Sequence, residues 1–135
     1  MNQNKIQPYA LKAGEGRIYH FGVEFTVKAS EVHPGSGAAF LEYLTRKGEE
    51  PSPHTHETEN EMFYVLEGEL SFQCGEETFD VQKGGFIFLP AGIEHSYKIN
   101  GDDPVRLIVV TSPLGNEKGG GWKGFVADME LGQTE

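Results

Sequence analysis

One cysteine, Cys74, in a chain of 135 residues rules out an intrachain disulfide, so the fold must be held by its core alone. Arginine is nearly as scarce, present only as Arg17, Arg46 and Arg106, and the formal net charge is −10. Nucleic acid and anionic membranes are bound by clustered Lys and Arg that displace counterions. Such partners are therefore excluded as an expectation, and phosphorylated substrates are disfavoured. The longest apolar run, Met62–Leu66, falls far short of the ~20 residues of a membrane-spanning helix. The opening Met1–Pro8 has no apolar stretch behind Lys5 and does not read as a secretory signal. The expectation is a soluble, cytoplasmic protein.

Helical periodicity is also missing before Pro113. What is present is glycine, 18 residues of it without a collagen-like repeat, which points to many tight turns. Short β-like runs are predicted at 17–21, 24–29, 38–46, 62–66, 69–74, 77–81, 86–89, 95–99 and 105–111. Gly, Pro, Asn or Asp stands between each pair. That density of short strands predicts an all-β sandwich or barrel. The organisation expected is an N-terminal arm over 1–16, one barrel over 17–112, and a tail over 113–135 that covers a barrel mouth or carries a short helix.

Three of the five histidines fall in two compact segments. In Gly48-Glu-Glu-Pro-Ser-Pro-His54-Thr-His56-Glu-Thr-Glu-Asn-Glu61, alternation along an extended chain puts both imidazoles on one face. Glu61 opens an apolar run, where desolvating a carboxylate is expensive unless a cation or donors face it. His95 begins another predicted strand just beyond Pro90-Ala-Gly92. A barrel can bring the three segments together, and three imidazoles with a carboxylate suit Fe, Mn, Co, Ni, Cu or Zn better than Ca or Mg. Taken singly, the histidine pair also reads as solvated, His95 as a hydrogen-bonded strand residue, and Glu61 as a strand-end charge. Glu57 and Glu59 offer alternative carboxylates to Glu61 but read rather as solvated charges that keep the loop open, His20 and His33 as structural or exposed, and Cys74 as a small core residue. Alternation places Phe63 and Val65 on the face of Glu61, and Tyr97 on that of His95. Phe63 and Tyr97 then line a cavity beside the site or pack the barrel core.

The two segments resemble the paired motifs of the cupins. Gly48, His54, His56, Glu61 and Gly68 match every element of the first. Gly84, Pro90, Gly92 and His95 match the second, whose final asparagine comes one position late, at Asn100. Within that family, Pro53–His56, Glu61–Gly68 and Thr111–Glu117 are similar to small single-domain cupins of the quercetin-dioxygenase-like group. The resemblance implies a double-stranded β-helix, a jelly-roll barrel. It also implies one divalent transition metal per chain on His54, His56, Glu61 and His95, with coordination positions left open for chemistry. By the same resemblance Glu61 is the catalytic base of a dioxygenase acting on a small enolic or aromatic, flavonol-like substrate. A metal-dependent isomerase or lyase of an enolisable molecule and a non-catalytic small-molecule-binding cupin are the alternatives. A homodimer that buries exposed strand edges, with Lys5–Lys12 crossing to the partner, completes the expectation.

Overall fold

A computed structural model describes residues 8–21, 23–29, 38–57 and 59–112. The described residues form nine strands and no helix: β1 (Arg17–Phe21), β2 (Val23–Ala29), β3 (Ala39–Thr45), β4 (Asn60–Glu67), β5 (Glu69–Cys74), β6 (Glu77–Gln82), β7 (Phe86–Leu89), β8 (His95–Ile99) and β9 (Val105–Ser112). These are the nine runs that the turn residues delimit, with ends moved by no more than two residues. The tail from Pro113, the first seven residues and His33 lie outside the described residues.

Every pairing is antiparallel, in a six-stranded sheet ordered β1-β2-β3-β9-β4-β7 and a three-stranded sheet ordered β6-β5-β8. The core lies between them. Period-2 alternation sorts the side chains: Leu41, Val65, Leu70, Phe72, Leu89, Leu107 and Val109 are buried with almost no exposure, each contributing ~1.5–3 kcal/mol of transfer free energy. Tyr43, Phe63 and Tyr97 join Phe72 in a chain of ring contacts with centroids 5.2–6.3 Å apart. At the β4–β5 turn Gly68 takes φ +99°, and a Cβ there would stand 2.6 Å from Val105 Cγ2. Only glycine fits both demands.

Part of the outer face of the larger sheet is apolar as well, beside the ion pairs that Glu42 makes with Lys28 and Arg106. Phe40, Val110, Met62 and Phe88 form one cross-strand row, and Ile108, Tyr64 and Phe86 continue it. Phe86 and Phe88 are 58% and 48% exposed, while the smaller Ile87 and Leu89 point inward.

Two sets of backbone hydrogen bonds tie the sheets together. At one end Val65 N–H donates to Gly85 O and Gly84 N–H to Val65 O, at 3.0 and 2.8 Å. At the other, His54 and His95 exchange N–H···O bonds of 3.1 and 2.9 Å. The loop before β4 is thereby laid along the free edge of β8, and the barrel end it closes is where the histidines gather.

Candidate metal centre

Local backbone geometry delivers each side chain. His54 and His56 sit in the loop ahead of β4, held by the His54–His95 pair and by Gly92 N–H donating to His56 O at 2.8 Å. Glu61 is the second residue of β4, and His95 is the first of β8. Asn60 Oδ1 accepts from Ala91 N–H at 3.0 Å, stapling the start of β4 to the turn that carries His95. Glu50, at the head of the loop, accepts from Ile99 N–H at 3.0 Å and from Gly48 N–H at 2.7 Å. Those bonds pull its carboxyl pKa down.

The four predicted ligands converge. One donor atom from each of His54, His56, Glu61 and His95 lies within 4.8 Å of the other three, and the imidazole centroids are 4.6–5.4 Å apart. Glu61 Oε1 is 3.0 Å from His95 Nε2 and 3.5 Å from His56 Nε2. Ligands ~2.1 Å from a common ion are separated by about 3 Å when adjacent and about 4 Å when opposed, so small adjustments place all four around one ion.

Ring orientation agrees. A carbonyl oxygen only accepts, so His54 Nδ1 donates to Ser52 O at 2.8 Å, and His95 Nδ1 is turned to Ile93 O at 3.3 Å. His56 Nδ1 faces Glu59 Oε1 at 3.5 Å. With each Nδ1 directed at an acceptor, Nε2 is the nitrogen left to ligate, the usual division of roles in a metal-bound histidine.

Electrostatics point the same way. Glu61 is 2% exposed. Burial pushes its pKa up, but hydrogen bonds and charge from His56 and His95 outweigh that and bring it to about 2. His56 moves up in response, chiefly through its hydrogen bond to Glu61. The space between Nε2 and Oε1 therefore calls for a cation, whether protons or a metal ion, and the borderline donor set fits a divalent transition metal.

Phe63 and Tyr97 do point inward behind the site, where both are buried in the aromatic cluster. Burial, and then the Glu61 charge, raise the pKa of Tyr97; the same two causes act on Tyr43, another inward phenol. His20 stays on the surface, 3.5 Å from Glu24, and Cys74 packs half-buried against the core. Glu57 is exposed as expected. Glu59 corrects the sequence reading: it is no solvated charge but is 1% exposed. Parity carried the signal, because Glu59, Glu61, Phe63 and Val65 alternate onto one face. Asn60 and Tyr43 left no comparable mark in the sequence.

A closed double-stranded β-helix with three imidazoles and a carboxylate gathered at one end defines a class of small β-barrel proteins able to hold a metal ion. The Cupin_2 family model, described as a cupin domain, matches residues 41–111, and the chain belongs to the cupin family. It is 26% identical over 112 residues to an uncharacterized protein of Methanocaldococcus jannaschii, covering 82% of each chain. It is 32% identical over 93 residues to quercetin 2,3-dioxygenase of Bacillus subtilis, covering 68% of this chain but only 28% of that enzyme. Among solved structures, a predicted oxalate decarboxylase of Thermotoga maritima superposes with a TM-score of 0.70 at 22% identity, over 78% of this chain and 100% of that one. That last likeness establishes the fold.

Proposed function

We propose that this chain is a metal-dependent cupin enzyme, a dioxygenase acting on a small enolic or aromatic, flavonol-like substrate. One divalent transition metal would be held by His54, His56, Glu61 and His95. The observation that carries the reading is the buried Glu61 carboxylate with the Nε2 atoms of His56 and His95 turned on it. Four protein ligands leave positions open on a six-coordinate ion, the arrangement of a catalytic rather than a structural site. A bound ion would supply Lewis acidity, lowering the pKa of a coordinated substrate hydroxyl.

The chain's own groups would do the rest. Glu61 Oε takes the proton from the substrate hydroxyl, acting as general base. The three imidazoles fix the carboxylate's position, and Phe63 and Tyr97 form an apolar floor that keeps water from the far side. Substrate enters past His54 and His56, which are only half-buried. The quercetin 2,3-dioxygenase relative supports this choice of substrate class over the part of that enzyme the chain spans. The low arginine content favours a neutral substrate.

The test loads the protein separately with Mn, Fe, Co, Ni, Cu and Zn and follows oxygen uptake with flavonols and 1,3-diketones. At least one metal should support oxygen consumption that Glu61→Gln abolishes. Turnover unaffected by removing dioxygen would instead assign a metal-dependent isomerase or lyase. Substrate binding with no turnover under any metal would assign a binding protein.

We also infer a homodimer through the outer face of the six-stranded sheet. Tyr64, Phe86 and Phe88 stand exposed side by side on neighbouring strands, and contiguous exposed apolar side chains mark interaction surfaces. A monomer by sedimentation at micromolar concentration would remove this inference.

A further inference from the structure

Glu59 sits outside the four ligands, in a loop crowded with carboxylates, yet it has almost no contact with solvent. A carboxylate stripped of water is retained only where positive charge or donors compensate it. Its Oε1 is 3.5 Å from His56 Nδ1, while His56 Nε2 is 3.5 Å from Glu61 Oε1. One imidazole is thus set between two buried carboxylates, one at each ring nitrogen. His54 and His95 differ: their Nδ1 atoms meet the backbone carbonyls of Ser52 and Ile93. Among the described residues, His56 alone of the three imidazoles has a charged side chain behind it.

The backbone fixes this arrangement. Asn60 is tied to Ala91 on one side of Glu59, and the His56 carbonyl is tied to Gly92 on the other. Strand alternation then directs Glu59 to the same face as Glu61.

We propose that Glu59 is a positioning residue for His56, a carboxylate behind the imidazole that orients the ring, fixes its tautomer and supplies a second buried negative charge to the metal centre. The inference rests on the reading of His54, His56, Glu61 and His95 as metal ligands. Two consequences follow. Carboxylates behind ligating histidines strengthen metal binding, and their removal costs ~10–100-fold in affinity. The charge count changes too: a divalent ion with Glu59 and Glu61 sums to zero, whereas with Glu61 alone it sums to +1. A centre carrying that extra positive charge attracts a small anion to its open positions more strongly.

The experiment compares wild type, Glu59→Gln, Glu59→Leu and, as a control for net charge, the exposed Glu57→Gln. Co(II) affinity is measured by competition with a chelator, azide binding to the Co(II)-loaded proteins by visible absorption, and folding of the metal-free proteins by thermal melting. Glu59→Leu should lose ~10–100-fold in Co(II) affinity and Glu59→Gln less, since its amide oxygen keeps a polar acceptor facing Nδ1. At saturating Co(II) both should bind azide several-fold more tightly, and Glu57→Gln should match wild type in every measurement. A purely structural role for Glu59 would lower the melting temperature and leave azide affinity untouched, which overturns the proposal. So does equal behaviour of the Glu57 and Glu59 variants. Failure of the wild type itself to take up Co(II) overturns the metal-site reading together with this one, whereas wild-type uptake with unchanged Glu59 variants overturns this one alone.

Discussion

The two ends of the barrel are built from similar residues and treat them in opposite ways. At one end Glu61 is sealed from water among three imidazoles, with Glu59 buried behind His56. At the other, Glu69, Asp102 and Asp103 stand exposed around the turns that follow β4 and β8, and Lys47 Nζ is 3.9 Å from Asp102. Acidic side chains crowd both ends, so acidity alone marks neither as a site. What separates them is desolvation: a buried carboxylate demands a compensating cation, and an exposed one is already compensated by water.

Removing a ligand should break the contrast most severely. Glu61→Ala is expected to reduce metal affinity by at least ~100-fold, more than any positioning residue contributes, as read by chelator competition. The fold should survive, because the change also relieves the burial of a charge.

Acid gives the next largest effect. The folded Glu61 carboxyl lies at about 2 against an ordinary 4.5, so its contribution to stability is complete above the ordinary value and is lost as pH falls toward 2. His56 is raised from 6.5, so its contribution is complete below that value and is lost as pH rises through the raised one. Without metal, stability from this pair should therefore peak between the two ordinary values. With metal, binding must displace the His56 proton, so affinity should weaken steadily as pH falls. Thermal melts across pH, with and without metal, measure both trends.

A smaller effect sharpens the comparison at the far end, where backbone conformation rather than charge is demanding. Gly68→Ala forces a positive φ and a 2.6 Å approach to Val105 Cγ2, at a cost of about 2 kcal/mol. Gly84→Ala, at φ +84° with open space around its Cβ, should cost nearer 1 kcal/mol. Denaturant titration separates the two. The smallest change belongs to Asp102→Asn, which should leave metal affinity unaltered and move stability by no more than about 0.5 kcal/mol.

Much of this was legible in the sequence for identifiable reasons. The nine strands could be read because β-structure has a short period and each strand ends at a turn residue. The four side chains that converge could be read because cupin motif spacing is specific. Sheet order was hidden, since β9 pairs with both β3 and β4 and no local pattern encodes that. The inward face of β7 was hidden too. Phe86, Ile87, Phe88 and Leu89 are all apolar, and the larger pair turns outward, a choice made by the neighbouring strand's register. Glu59 was legible by parity with Glu61, but the acidity of its loop argued for solvent. Burial of that loop against β8, a tertiary event, decided the matter.

The central claim is that one ion sits among His54, His56, Glu61 and His95. Anomalous diffraction at the absorption edge of the bound metal tests it most directly. The account predicts a single strong peak per chain, ~2.1 Å from three imidazole nitrogens and the Glu61 carboxylate. No peak there in protein grown with excess metal, or one held elsewhere with these four side chains unligated, would contradict it.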